Sequence, residues 1–134
     1  MLSDTLKIAA AGMKAQGDRL RIIAENVANA DSTSTQPGGE PYRRKVVIFE
    51  NALNKELGVE TVRVAKRTYD MSDFRKKFDP THPAADEQGY VLFPNVSSII
   101  EMVDMRESRR AYEANINVVE VSKAMLTRTL ELLR

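Results

Sequence analysis

Apolar residues recur at alternating four- and three-residue steps at both ends of the chain. Leu2, Leu6, Ala9, Met13, Gln16, Leu20, Ile23, Val27 and Ala30 follow this spacing, and Tyr112, Ile116, Val119, Lys123, Leu126, Leu130 and Leu133 repeat it. This is the a/d seam of a heptad, and it predicts two long helices that each carry one apolar stripe. Gln16 interrupts the first stripe and Lys123 the second. The second helix also has an additional apolar row, Ala114, Val118, Val121, Met125 and Leu132. It is therefore expected to make most contacts between subunits, with the narrower first helix as its partner. Neither stripe is stable in water, so each helix needs the other or a neighbouring subunit. The pattern points to assembly rather than chemistry.

Local chemistry sets the ends of these helices. Ser3 or Asp4 can cap the first, which is expected to run to Asn29 or Ala30. It stops there because Asp31 to Thr35 compete for backbone hydrogen bonds and Pro37-Gly38-Gly39 breaks what remains. The second helix is predicted to open near Val96-Ser97-Ser98, where Ser97 or Ser98 with Glu101 gives a three- or four-residue capping-box spacing, best met by Ser98. All five prolines and four of the six glycines fall within residues 31–96. There Tyr42 to Glu50 and Val59 to Tyr69 read as a hairpin joined through Asn51 to Gly58, and Tyr90 to Phe93 as a third strand. Met71 to Gln88 reads as an extended loop, because Asp79 and His82 each precede a proline and are pushed away from helical backbone. The expected fold class is mainly α with a β-rich middle. Residues 1–30 and 97–134 are coiled-coil helices pairing into one tube-forming domain, and residues 31–96 are a β-hairpin and extended-loop segment.

Composition narrows the function without naming it. A chain of 134 residues supports one domain. Residues 1–30 carry four basic and three acidic groups, residues 31–96 ten of each and residues 97–134 six of each, so no segment has the positive excess of a nucleic-acid or anionic-membrane surface. Arg43-Arg44-Lys45 and Arg75-Lys76-Lys77 are local basic clusters that read as solvated or strand-edge charge. The absence of cysteine excludes disulfides and thiolate metal sites. Ile8 to Ala11 is too short for the apolar core of a signal peptide, and no stretch approaches the ~20 apolar residues that span a bilayer. The expectation is a soluble protein that does not use the general secretory route.

Candidate chemistry is sparse. His82, with Asp79 and Asp86 nearby, is the natural place to look for catalysis or a metal, but a loop held by two prolines gives no sign that the three converge. Ser32 to Thr35 have no base partner in sequence, and Gly38-Gly39 is not followed by a helix start, so turn formation accounts for both. Glu101, Asp104 and Glu107 interleave with Arg106, Arg109 and Arg110, which predicts an ion-paired helix surface. Asn26, Asn29 and Asn115 lie beside the seams. An amide there either sets register between helices or helps to end and decorate them, and the pattern leaves both readings open. No catalytic, cofactor or metal residue is assigned.

Longer motifs add a resemblance. Ala24-Glu25-Asn26-Val27-Ala28-Asn29-Ala30-Asp31, Glu101-Met102-Val103-Asp104-Met105 and Ala111-Tyr112-Glu113-Ala114-Asn115 resemble the terminal signatures of the flagellar axial proteins, the rod and hook family. In the middle, Asp79-Pro80-Thr81-His82-Pro83-Ala84-Ala85-Asp86, Gly89-Tyr90-Val91 and Pro94-Asn95-Val96 are similar to the proximal rod branch rather than to the longer distal rod and hook subunits. The resemblance implies a non-enzymatic structural subunit of the bacterial basal body that assembles helically through its terminal helices and transmits torque from motor to hook. It implies a rod crossing the periplasm, reached through the flagellar type III export apparatus without a cleaved signal peptide.

Its expected partners are further copies of itself, other rod proteins, the export apparatus and the inner-membrane ring or other hook and basal-body components. Nucleic acid, small-molecule substrates and cofactors are not among them. The expected assembly seam is Leu2, Leu6, Met13, Leu20, Ile23, Val27, Tyr112, Ile116, Val119, Leu126, Leu130 and Leu133. Asn26, Asn29, Glu101, Met102, Tyr112, Glu113, Ala114 and Asn115 are the motif and register residues. Two rival readings are a soluble coiled-coil adaptor or export chaperone, which would not need the middle motifs, and a small hydrolase using His82 and Asp86.

Overall fold

The computed structural model describes residues 2–54 and 58–134. Its elements run in the order α1 (Leu2–Ala28), β1 (Lys45–Asn54), β2 (Val59–Tyr69), β3 (Arg75–Phe78), β4 (Tyr90–Phe93) and α2 (Ser98–Leu132). The helices hold 27 and 35 residues. At 1.5 Å per residue they are about 40 and 52 Å long.

Asn29 closes α1. Its backbone N–H and its Nδ2 both donate to Glu25 O, at 3.0 and 2.9 Å, and its Oδ1 accepts from Ser32 Oγ at 3.0 Å. At the start of α2, of the two caps left open by the spacing, the one further from Glu101 is used. Ser97, not Ser98, is the cap: its carbonyl accepts the Glu101 N–H at 2.9 Å and its hydroxyl lies 3.5 Å from Ile100 N. Glu101 does not reach back to the cap, because its side chain is taken up in the interior.

The hairpin is present as β1 and β2, paired in a two-stranded sheet. Thr61 Oγ1 donates to Ala52 O, Arg63 pairs with Glu50, and Asp70 N donates to Arg44 O, so the numbering rises on one strand as it falls on the other and the pair is antiparallel. Of the expected Asn51 to Gly58 connection, residues 55–57 lie outside the described residues. The stretch read as an extended loop contains a strand, β3, which pairs antiparallel with β4 in the register Arg75 to Phe93 through Phe78 to Tyr90. All four β3 residues are exposed, so no alternation marks it; β4 specifies it instead. Gly89 makes the turn into β4 at φ 85°, where a Cβ would stand 2.9 Å from the Phe78 ring.

The residues group into two compact units. One comprises Met1–Leu20, Val47–Lys66 and Arg106–Arg134, and the other Arg21–Val46 and Arg67–Met105. In the first unit the helices run antiparallel: Gly12 faces Asn115, Gly17 faces the Tyr112 ring, and Arg19 pairs with Glu107 at 3.9 Å. The covered row of α2 here is Ser108, Tyr112, Asn115, Val119 and Ser122. It departs from the expected seam, since Ser122 is buried while Lys123 points to solvent. Every residue of α2 beyond Ser122 is exposed.

The first helix is not the narrow one. Besides its seam residues Ala9 and Ile23, Ala15 and Ile22 are buried off the seam, so α1 is covered on two rows. The core of the second unit is formed by Ile22, Ile23, Ala84, Val91, Pro94 and Val96 with the buried polar residues Asn26 and Glu101.

A Cβ at Gly12 would stand 2.7 Å from Asn115 Nδ2 and 3.1 Å from its Cγ. Alanine normally stabilises a helix by about 1 kcal/mol over glycine. The substitution Gly12→Ala is expected to show none of that gain in urea unfolding, and to recover it in an Asn115→Ala background. Equal effects in both backgrounds would show that the two positions do not meet.

Candidate functional site

Asn26 lies in the last turn of α1 and is 1 % exposed. Its amide meets the first residue of β1 as a neighbouring strand would. Nδ2 donates to Lys45 O at 2.8 Å, and Oδ1 accepts from Lys45 N at 3.0 Å and from Tyr42 Oη at 2.8 Å. Nδ2 also lies 3.4 Å from Glu101 Oε2. The Asn26 amide thus ties the end of α1 to the first residue of β1.

Glu101, one turn into α2, is fully buried. Arg44 answers it: Nε donates to Glu101 Oε1, while Nη1 and Nη2 each lie 3.3 Å from a carboxylate oxygen of Asp70 and Asp104. One guanidinium thus joins three acids, using the fork geometry that suits arginine to carboxylates. Asn95 fixes the backbone around it, accepting from Arg44 N at 2.8 Å and donating to Asp70 O at 2.8 Å. Arg43 donates to the carbonyls of Asp70 and Ser72 and stacks 4.1 Å over the Phe74 ring. Lys45 reaches Glu25 at 3.2 Å.

Two sequence expectations are corrected here. Arg43-Arg44-Lys45 is not a solvated run, because every member has a specific partner. Glu101, Asp104 and Glu107 do not form a self-paired helix surface, because each pairs with an arginine from outside α2, either Arg44 or Arg19. Tyr42, Arg44, Asp70 and Asn95 are scattered along the sequence, and no spacing marks them as one cluster. Pro94-Asn95-Val96 was noted as a motif, but nothing in its spacing names its partners.

Titration follows this geometry. Burial lowers the Arg44 pKa, but the hydrogen bond and charge of Glu101, followed by those of Asp70, raise it further, so the net shift is upward. The Asp70 carboxyl is held below its ordinary value chiefly by the Ser72 N–H, against the opposing effect of burial, with help from the Ser72 hydroxyl and Arg44. Lys45 is raised by its hydrogen bond to Glu25 and by the charge of that residue, and Tyr42 is raised chiefly by burial.

The remaining candidates have structural employment. His82 Nδ1 accepts the Ala84 N–H at 3.0 Å and its ring sits edge-on to Phe93. Asp79 accepts from Thr81, and Asp86 accepts from the backbone N–H groups of Gln88 and Tyr90, so these carboxylates shape the loop. Among the described residues no cluster of three His, Asp or Glu side chains is placed to hold a metal, and no helix is long and apolar enough to cross a membrane. Asn115 donates to Ala111 O at 3.1 Å within its own helix.

The seam residues fall into two groups. Leu2, Leu6, Met13, Leu20, Tyr112, Ile116 and Val119 are partly covered and Ile23 is buried, whereas Val27, Leu126, Leu130 and Leu133 are exposed. The additional row Ala114, Val118, Val121, Met125 and Leu132 is also exposed, and so are the motif residues Met102 and Glu113. One stripe of α2 is thus covered within the chain and another is presented outward, so the chain is of the class that carries two long terminal helices with an apolar row left exposed.

Comparison with known proteins gives that class a family. Residues 6–34 match the model for flagella basal body rod proteins, and residues 87–132 match that for the C-terminal part of flagellar basal body rod FlgEFG proteins. The chain is 47 % identical over 133 residues to the flagellar basal-body rod protein FlgC of Agrobacterium fabrum, covering 99 % of this chain and 96 % of that one. It is 39 % identical to FlgC of Borreliella burgdorferi over 99 % of this chain and 98 % of the relative, and 38 % identical to FlgC of Salmonella typhimurium over 98 % and 97 %. The chain belongs to the family of the flagellar basal-body rod protein FlgC, a family of structural proteins rather than enzymes.

Removing one partner of a buried ion pair strands the other, at a cost of about 3–5 kcal/mol. Arg44→Met is expected to destabilise the protein on that scale in urea unfolding, whereas Lys77→Met, on exposed β3, stays within about 0.5 kcal/mol. A loss below 1 kcal/mol for Arg44→Met would remove Glu101 from its central place.

Because Asp70 is depressed in the folded state, its contribution is present above its ordinary pKa of 3.8 and is lost as the pH falls through the lower folded value. Asp70→Asn should therefore flatten the fall in stability below about pH 4 in acid titrations followed by circular dichroism. An unchanged acid limb would contradict this.

Proposed function

We propose that this chain is a structural subunit of the flagellar basal-body rod that assembles helically through α1 and α2. Residues 1–30 and 97–134 form its tube-building domain by coiled-coil pairing. The outward apolar row of α2, with the exposed Leu126, Leu130 and Leu133, carries this reading. Isolated long helices owe most of their stability to packing of an apolar face, and here much of that face has no partner within the described residues. A stripe covered inside the subunit and a second one facing outward allow one helix to bind its own chain and a neighbour at once.

The subunit crosses the periplasm as part of the rod and leaves the cell interior through the flagellar export apparatus. It transmits torque because long helices packed on several sides resist twisting. Its partners are copies of itself, other rod proteins and the adjoining basal-body components.

Val121 and Leu130 are 59 % and 57 % exposed. Substitution by aspartate should leave the stability of the isolated chain within about 0.5 kcal/mol. Export should continue, while recovery in detergent-washed basal bodies and swimming are lost. Normal incorporation of a Val121→Asp, Leu130→Asp double variant would refute assembly through this face.

A further inference from the structure

We infer that the outward face of α2 from Arg106 to Met125 docks an amphipathic helix of a different protein, one that carries carboxylates beside its apolar row. The inference rests on the rod-assembly reading and names the chemistry of a partner for it. Residues 97–134 hold six cations and six carboxylates. Folding divides them unequally. Glu101 and Asp104 are taken up by Arg44, and Glu107 reaches Arg19. All six cations are exposed, and the carboxylates left beside them are Glu113, Glu120 and Glu131. The surplus is concentrated at one place. Arg106, Arg109 and Arg110 are exposed within five residues, and none has an ion pair among the described residues. Glu113, one turn on, offsets one of these charges, so two positive charges remain in excess.

An apolar row continues from this cluster. Ala114, Val118, Val121 and Met125 follow Arg110 at steps of four, four, three and four residues, and all are exposed. That spacing is a seam on which a second helix packs. From Arg106 to Met125 it runs about 28 Å. A complementary helix sets aliphatic side chains against Val118 and Val121 and carboxylates against the arginines, because a guanidinium covered without a partner is costly.

Neither helix of a second copy meets that description. In a parallel contact of α2 with α2 the arginines face their own kind. In the antiparallel direction they face the segment from Lys123 to Arg134, where Lys123, Arg128 and Arg134 stand against Glu131. Helix α1 exposes Lys7 and Lys14 and none of its carboxylates. Like charges across a contact reject the wrong partner, so the pattern selects a different subunit with an acidic face.

Two synthetic helices of about 20 residues test this, alike in a leucine row at four- and three-residue steps and differing only in whether glutamate or lysine flanks it. The full chain should bind the glutamate peptide about tenfold more tightly in fluorescence anisotropy, and raised salt should remove the difference. Arg106→Gln, Arg109→Gln and Arg110→Gln together should abolish the preference and leave the unfolding midpoint unchanged. Equal binding of the two peptides, or a preference that survives these substitutions, would overturn the inference. Binding to vesicles of phosphatidylserine and phosphatidylcholine in equal parts, with no binding of the glutamate peptide, would overturn it in favour of a lipid surface. In cells whose only source of this protein carries p-benzoylphenylalanine in place of the exposed Asn117, illumination of isolated basal bodies should join the chain to a different protein, through a segment with an excess of carboxylates. A product containing only this chain, or no product from a normally incorporated variant, would overturn the inference while leaving the assembly reading intact. If that variant is not incorporated, the peptide comparison decides. Absence of the unmodified chain from washed basal bodies would instead remove the assembly reading.

Discussion

A carboxylate taken out of water costs several kcal/mol unless opposite charge and hydrogen bonds replace its hydration, and Glu101 is the residue around which this structure meets that demand. Arg44 supplies the charge and Asn26 a further donor. Each brings a different stretch of chain with it. Arg44 stands next to the first residue of β1, and Asn26 holds both backbone groups of Lys45, so where β1 begins and which way it runs follow from the same cluster. Asn95 ties the approach to α2 to Arg44 and to the backbone of Asp70 at the end of β2. The end of α1, the start of β1, the end of β2 and the start of α2 are joined through one guanidinium and two amides, and nearly every polar atom there is used.

The first unit is held differently. Its helices meet through small residues, with Gly12 against Asn115 and with Ser108 and Ser122 buried on the covered row of α2. Small residues let helices approach closely but bury little apolar area, and Gln16 Oε1 and Ser108 Oγ are buried there without hydrogen-bond partners among the described residues. Packing of this kind is specific without being strongly stabilising. It also leaves the larger apolar residues of α2 on the outside. A subunit built to join others gains from that division, because the area withheld from its own core is available to a neighbour.

His82, Asp79 and Asp86 illustrate how residues suited to chemistry can be used for shape alone. An imidazole nitrogen accepting a backbone N–H and carboxylates closing turns make the loop before β4 well defined without forming a reactive centre. Gly89 completes it, since only a residue without Cβ fits beneath the Phe78 ring at that φ.

Periodicity by itself determined the two long helices, their approximate ends and the presence of apolar stripes, because the helical repeat is local and writes itself into residue spacing. The β1 and β2 strands were legible for the same reason. Strand β3 was not, since Arg75 to Phe78 are all exposed and the strand exists only through pairing with β4. The true register of α2 was hidden too. Ser108, Asn115 and Ser122 are small enough to be buried, but a hydrophobicity pattern passes over them in favour of Ile116, Lys123 and Leu130. Above all, only the tertiary structure decided that Arg44 and Glu101 belong together. Charges 57 residues apart in sequence carry no local signature, and their pairing is settled by which burial leaves the fewest polar groups without partners.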